Sequence, residues 1–271
     1  MKDSLTYLTT LKSQANLGFQ LDAFVSRRDI IWYSCGSASA VMTKIVLASK
    51  PDATIVYCDT GSEHEDNIRF LDDCQNWYGK EIKIIKSQLF NNVDDVIEAR
   101  KYMAGIDGAP CTIELKKVPR LDFQIPDDIQ YYGYTIEEWK RARNFVVNNI
   151  ELQLQFPLIY NLITKEDCIG ILKQAGIKLP IMYELGFEHN NCIGCVKSQS
   201  AKYWAMIRLY FPVVFKIRCE QSRRLGVKLV KIKNERIFLD ELPEGIEFPD
   251  EKEASCDFLC HTIAEQIGKS G

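Results

Sequence analysis

Hydrophobic positions fall into short solid runs separated by stretches where they recur every three or four residues. "DIIWYS" (29–34), "ATIVYC" (53–58) and "EIKIIKS" (81–87) read as strands. Between them, "ASAVMTKIVLAS" (38–49) has helical spacing and stops before Pro51, and "EDNIRFLDDCQNWYG" (65–79) is a helix ending at Gly79. "NVDDVIEARKYMAG" (92–105) predicts another helix, "DIQYYGYT" (128–135) a further strand and "IEEWKRARNFVVNN" (136–149) the helix after it. Residues 4–26 also read as helical, with apolar residues on one face. Strands alternating with helices argue for βαβ units, which build a right-handed, mostly parallel sheet covered by helices on both faces.

After "KEDCIGILKQAGI" (165–177) this rhythm stops. "NNCIGC" (190–195), a basic aromatic helical stretch, the hairpin-like "VKLVKIKNERIFLDELP" and "SCDFLC" (255–260) follow. The expected division is a doubly wound α/β domain over 1–180, its first 27 residues a helical segment, and a small cysteine-containing region over 181–271. In doubly wound sheets ligands bind beyond the carboxyl ends of the strands. That rule gathers "SCGSAS", "CDTGSEHED" and "YGYT" along one rim as the walls of a pocket.

The chain has 271 residues, 46% of them hydrophobic and 26% charged, the balance of an ordinary globular protein. No apolar run approaches the ~18 residues that span a bilayer. The N-terminal "MKDSLTYLTTLKSQ" carries no apolar signal region, so a reducing, cytoplasmic setting is expected, with no membrane partner. There, paired cysteines point to metal or redox chemistry more than to disulfides. Of ten cysteines, Cys35, Cys58, Cys74, Cys168 and Cys219 stand singly in helix- or strand-like context and read as small buried hydrophobes. Cys192 and Cys195 form a C-x-x-C around Gly194, and Cys256 and Cys260 form a second close pair. Four thiolates complete a tetrahedral set for zinc or the ligand shell of a [4Fe–4S] cluster; a redox pair is the other use of C-x-x-C. His189 and His261 flank these pairs as alternative zinc ligands, and His64 stands in the "GSEHED" turn.

The net charge of −3 hides an asymmetry. Lys197–Arg236 holds eleven Lys/Arg against Glu220 and Glu235. A basic surface with Trp204, Tyr210, Phe211 and Phe215 nearby suits nucleic acid, through phosphate neutralisation and base stacking, or a small anion. Lys202, Arg208, Lys216, Arg218, Arg223 and Arg224 are the expected surface residues, and the aromatics are expected mainly between two helices broken at Pro212.

In "SCGSAS", Gly36 permits a tight turn and close backbone approach, and Ser34, Ser37 and Ser39 supply hydroxyls. The helix after it offers unpaired N–H groups and a positive dipole end, so the turn is a candidate phosphate cradle. It is not a Walker loop.

"YSCGSASAVMTKIVL" followed by "IVYCDTGSEHEDNIRFLDDC" resembles the phosphoadenosine phosphosulfate (PAPS) reductase family of the adenine nucleotide alpha-hydrolase-like, or PP-loop, superfamily. "PCTIELKKVP" (110–119) is similar to that family's cysteine-containing segment, and "YYGYTIEEWKRARNF" (131–145) to its strand-then-Gly element with a downstream arginine. The resemblance runs over about residues 28–200. It implies an adenine nucleotide, ATP or a relative with Mg as companion ion. Ser34, Gly36, Ser37 and Ser39 would hold phosphate, Asp59, Thr60 and Gly61 would shape the adenosine side, and Gly133 would be a further nucleotide-binding residue. Arg141 and Arg143 would offset developing phosphate charge. Cys111 would be a ligand or sulfur-handling thiol, since cluster-bearing reductases carry a Cys-Cys pair where this chain has Pro110-Cys111. Two departures stand out. Ser37 and Ala38 occupy the Lys and Asp positions of S-G-G-K-D-S, which leaves Arg141, Arg143 or Lys117 to neutralise phosphate. The end "CHTIAEQIGKSG" does not match the E-C-G-L-H tail of sulfonucleotide reductases. The expected function is therefore nucleotidyl or sulfur transfer, with nucleic acid as a candidate acceptor. The alternative is a non-catalytic nucleotide-binding module that docks on nucleic acid or a protein partner in a modification or defence system.

Overall fold

A computed structural model describes residues 27–105 and 108–245. The helical segment expected at 4–26 and the pair Cys256/Cys260 lie outside the described residues. The first half alternates β1 (Asp29–Tyr33), α1 (Ser37–Ser49), β2 (Thr54–Asp59), α2 (Asn67–Tyr78), β3 (Ile82–Lys86) and α3 (Val93–Arg100). After a helical run over 110–123 (α4), the alternation resumes with β4 (Ile129–Tyr132), a 3-10 turn Ile136–Glu138, α5 (Trp139–Val147) and β5 (Gln153–Gln155). All five strands are parallel, in the order β3-β2-β1-β4-β5. The chain fills the sheet outward from β1 in one direction and then in the other, so the switch point lies between β1 and β4, where α/β sheets open a crevice.

The solid apolar runs are explained by burial on both faces. Ile31 and Tyr33 of β1 enter one core with Ile55, Tyr57 and α1 residues Ala40, Val41, Met42 and Val46. Ile30 and Trp32 point the other way, onto Val56 and Phe123. α6 (Pro157–Tyr160) and α7 (Lys165–Gln174) close the first core against α1.

Some elements have no counterpart among the sequence expectations, β5 and α4 foremost among them. β5, "QLQ", is a three-residue edge strand whose residues are all half-buried, so it carries no apolar run. α4 contains Pro110 and Pro119, and a proline in a helix interior breaks it. Yet each proline sits in the first turn of a helical piece, where its missing N–H costs nothing. A π-helical turn, Ile113–Lys117, joins the pieces.

Beyond residue 180 come α8 (Ile181–Glu184), α9 (Ala201–Tyr210), α10 (Pro212–Leu225) and the hairpin β6 (Val230–Ile232) and β7 (Glu235–Ile237). The expected break at Pro212 and the hairpin are both present. The hairpin turns through Lys233 and Asn234, both at positive φ, the backbone hand that matches strand twist. Trp204, Met206, Ile207, Leu229 and Val230 pack with Val96, Ile97 and Leu115 in one core, so this region shares its interior with α3 and α4.

At two glycines along the strand-end rim, backbone approaches backbone. A Cβ on Gly133 would lie 2.8 Å from Ser39 Cα, and one on Gly61 (φ +62) would lie 1.9 Å from Asn91 O. Gly61→Ala should destabilise the protein by about 2–4 kcal/mol, from left-handed strain plus overpacking. Gly79→Ala, also at positive φ but with nothing within 4 Å, should cost only about 1 kcal/mol. Urea denaturation of both variants measures the difference; equal costs would mean that the Asn91 carbonyl yields freely.

Candidate functional site

A cavity of about 500 Å³ opens beside the carboxyl end of β2, walled by Thr60, by Cys111, Leu115 and Lys116 of α4, and by the segment 186–206. Cys111, Cys192 and Cys195 all line it. They reach it from three supports: the start of α4, the tip of the C-x-x-C turn and its far side.

The turn is held at several of its backbone polar groups. Ile193 N–H donates to Ser62 O at 2.9 Å, and Cys195 N–H donates to Tyr203 Oη at 2.7 Å. Tyr203 Oη in turn donates to Cys192 O at 3.3 Å. Gly194 takes positive φ, and a Cβ there would meet Val214 at 2.7 Å. Its carbonyl accepts from Arg218 Nε at 3.1 Å. Arg218 is only 1% exposed, and its guanidinium also reaches Asp94 and Gln221 Oε1. Cys192 Sγ lies 3.1 Å from Thr60 Oγ1, which ties the turn to the end of β2.

Electrostatics separate the thiols. Burial, then the Glu63 carboxylate, pushes the Cys192 thiol up to about 12, with Lys116 pulling the other way. Burial, then Cys195, also raises Cys111. Lys116 is salt-bridged to Glu63 at 3.3 Å. Desolvation works against its ammonium, but Glu63 and then Cys192 outweigh this and hold it above the ordinary lysine range. Glu63 is itself held by the Tyr57 hydroxyl. Burial, then Lys165, lowers His189, which also lines the cavity.

Arg141 lines the cavity, paired with Glu138 at 2.7 Å and stacked on Tyr134. Arg143 is exposed and lies off it. Lys116, not the expected Lys117, faces the site; an adjacent lysine pair on a helix gives the sequence no way to choose. Asp59 pairs with Lys86 at 2.8 Å and accepts the Gly61 N–H at 2.8 Å. His64 Nδ1 accepts the Asp66 N–H. Of the solitary cysteines, Cys35, Cys74 and Cys168 are buried, while Cys58 and Cys219 are half-buried.

Ser34, Gly36, Ser37 and Ser39 lie off the cavity lining, in a turn of their own. Ser39 Oγ accepts from Ser34 N at 3.1 Å and from Gly36 N at 3.3 Å, and donates to Gly36 O at 2.9 Å. Asn190 and Tyr183, neither signalled by any sequence pattern, close over it. Asn190 Nδ2 donates to Cys35 O at 2.6 Å, and Tyr183 Oη accepts the Ser37 N–H at 3.4 Å.

The basic stretch spends much of its charge inside the fold. Arg208 bonds the Leu242 and Pro243 carbonyls, Arg223 pairs with Asp240 and Glu241, and Arg224 with Glu98. Arg218 is buried, against its expected place on the surface. Lys197 and Lys202 line the cavity. Among the described residues, no group of three or more His, Cys, Asp or Glu is placed to hold a metal ion, and no helix is long and apolar enough to cross a membrane.

Residues 29–105 match the family model of the phosphoadenosine phosphosulfate reductase domain. The match takes in both strand-end turns of the first half. An uncharacterized protein of Methanocaldococcus jannaschii is 24% identical over 203 residues, covering 72% of this chain and 47% of that protein. The chain thus spans about half the length of this curated relative. The crystal structure of phosphoadenylyl-sulfate (PAPS) reductase from Candida auris, a phosphate complex, superposes with a TM-score of 0.47 and 10% identity, over 63% of this chain and 84% of that one.

Arg218→Met leaves the Gly194 carbonyl without its donor and should cost about 1–3 kcal/mol. Hydrogen exchange at the Ile193 amide should rise with it. Arg223→Met, which breaks exposed pairs with Asp240 and Glu241 and the stacking on Phe238, should cost less than Arg218→Met and leave that amide unchanged. If Ile193 remains protected in Arg218→Met, the arginine is not what holds the turn.

Proposed function

Proceeding from a PAPS reductase-like sheet, we propose that this chain is an adenine-nucleotide-binding enzyme of nucleotidyl or sulfur transfer. The observation that carries the reading is the meeting of Cys111 with Cys192 and Cys195, distant in sequence, around one cavity beside Thr60. In this reading Ser34, Gly36, Ser37 and Ser39 hold phosphate at the start of α1, where the helix dipole favours an anion. Asp59, Thr60, Gly61 and Gly133 bound the nucleoside side. Arg141, Lys116, Lys197 and Lys202 make the cavity wall cationic, which suits an anionic reactant and a transition state that gathers negative charge. Arg143, exposed and off the cavity, keeps only an accessory place. The acceptor, nucleic acid included, is reached through the cavity mouth.

Thiolates suit zinc or an iron–sulfur cluster. The sequence spacing suggests Cys192, Cys195, Cys256 and Cys260 as the ligands. Cys111, Cys192 and Cys195 line one cavity but are not placed as a three-ligand group, so we keep the two close pairs as the ligand set and give Cys111 the place of a sulfur-handling thiol beside it. When bound, such a centre supplies sulfur activation or a structural clamp. The protein residues set its surroundings: Thr60 fixes Cys192, and Arg218 and Tyr203 fix the turn.

A second reading, a non-catalytic nucleotide-binding module, is favoured by one observation: the first turn lacks the family lysine and has Tyr183 against it. Nucleotide turnover by anaerobically purified protein separates the two readings.

The enzyme reading makes paired expectations. Gly36→Val should abolish AMP and ATP binding in calorimetry without unfolding the chain. Cys192→Ser should lower metal content, by elemental analysis and visible absorbance, while Cys111→Ser should leave it unchanged. Unchanged nucleotide affinity in Gly36→Val would move the nucleotide elsewhere. Metal loss in Cys111→Ser as strong as in Cys192→Ser would bring Cys111 into the ligand set.

A further inference from the structure

The turn after β1 has three amides whose partners are known. Ser34 N–H and Gly36 N–H both donate to Ser39 Oγ, a partner inside the same turn. The Ser37 N–H, at the first residue of α1, donates instead to Tyr183 Oη, 146 positions away in the chain. Beside it, Ser37 Oγ is buried and makes no hydrogen bond of normal geometry, the Tyr183 phenol being its nearest polar neighbour. The phenol also lies against the glycine of the turn: a Cβ on Gly36 would be 3.2 Å from Tyr183 Oη. Tyr183 sits on α8, a four-residue helix that follows Pro180 and ends before Gly186 at φ +86.

We propose that Tyr183 is the residue that sets which ligands this turn accepts: its oxygen stands where a ligand oxygen would take the Ser37 N–H, so a phosphate group binds there only by displacing it. The proposal rests on the nucleotide reading above and goes beyond it by naming what the nucleotide competes with.

The geometry gives the direction of the competition. At 3.4 Å the Ser37–Tyr183 contact is long for an N–H···O bond, which is best at about 2.9 Å. A phosphate oxygen is charged, makes a shorter bond roughly twice as strong, and gains from the helix dipole. A neutral hydroxyl has neither advantage and does no better than the phenol already there. Burial, foremost, keeps the Tyr183 phenol above its ordinary titration range, so at neutral pH it holds the place uncharged. Tyr183 thereby favours anionic ligands over neutral ones at a turn that lacks a lysine to do so. The Ser37 hydroxyl is left as a second donor for the incoming group.

Calorimetry with inorganic pyrophosphate, AMP and adenosine, on the full chain and on Tyr183→Phe, tests this. Phe keeps the ring and removes only the oxygen; a ligand-free melting curve checks that the variant is folded. Tyr183→Phe should bind pyrophosphate and AMP about two- to fivefold more tightly, the worth of one long hydrogen bond no longer displaced. In the ligand-free variant the Ser37 amide should exchange with solvent faster than in the parent, and pyrophosphate should slow it again. Equal or weaker pyrophosphate affinity in Tyr183→Phe overturns the proposal, because the phenol would then be a packing group or a ligand contact. If AMP binding is lost in Gly36→Val yet Tyr183→Phe behaves as the parent, this proposal falls and the nucleotide reading stands. If neither pyrophosphate nor AMP binds parent or variant, the nucleotide reading itself fails, and this inference with it.

Discussion

The site depends on one piece of docking: the segment from Asn190 to Ile193 seated on the carboxyl ends of β1 and β2. Asn190 is 8% exposed, and its amide nitrogen serves both the Cys35 carbonyl and Asn67 Oδ1. Three residues on, the Ile193 N–H takes the Ser62 carbonyl. A buried polar group left without its partner costs about 1–3 kcal/mol, so these bonds fix the register of the segment against the sheet. The first turn, the Asp-Thr-Gly end of β2 and the cysteine turn are held to each other through them. The cavity exists because α4 and α9 pack around a segment already pinned in this way.

That docking also explains why the second half of the chain has no separate core. Its apolar residues cover α3 and the buried face of α4, and its most buried cation, Arg218, spans from the Gly194 carbonyl to Asp94 at the start of α3. A buried guanidinium is costly to desolvate unless its donors are met. Here a backbone carbonyl, a carboxylate and the Gln221 side chain meet them. The same arginine therefore orders the cysteine turn and joins the two halves, which couples the geometry of the thiols to the packing of α3.

The charge pattern acquires its meaning from these contacts. A stretch with nine excess positive charges looks like a face for a polyanion when counted along the sequence. In space, Arg208, Arg218, Arg223 and Arg224 are met by carbonyls and by acids from α3 and the 3-10 turn Leu239–Glu241. The lysines at the cavity are placed differently. Lys116 is backed by Glu63 on the side away from solvent, while Lys197 and Lys202 approach from the opposite wall. Positive potential is thus concentrated at a concave site with thiols in its lining, and an anion entering there would meet both.

The sequence by itself determined the sheet and its turns. Parallel strands covered on both faces must be apolar throughout, so β1 and β2 announced themselves, and the Gly/Ser turn and the Asp-Thr-Gly followed from where those strands end. Buried Cys35, Cys74 and Cys168, the break at Pro212 and the hairpin were legible for the same reason: each is a local consequence of burial, ring geometry or turn hand. β5 was not, because an edge strand needs no apolar run, and α4 was not, because its prolines stand where helices tolerate them. The fold alone decided which residues meet. Cys111 joins Cys192 and Cys195, Lys116 is chosen over its neighbour Lys117, Arg143 falls outside, Arg218 goes inside, and Tyr183 comes to rest on Ser37. No local pattern encodes these pairings. They are fixed by long-range packing of the chain beyond residue 180 onto strand ends formed more than a hundred residues earlier, where side-chain periodicity carries no information about partners.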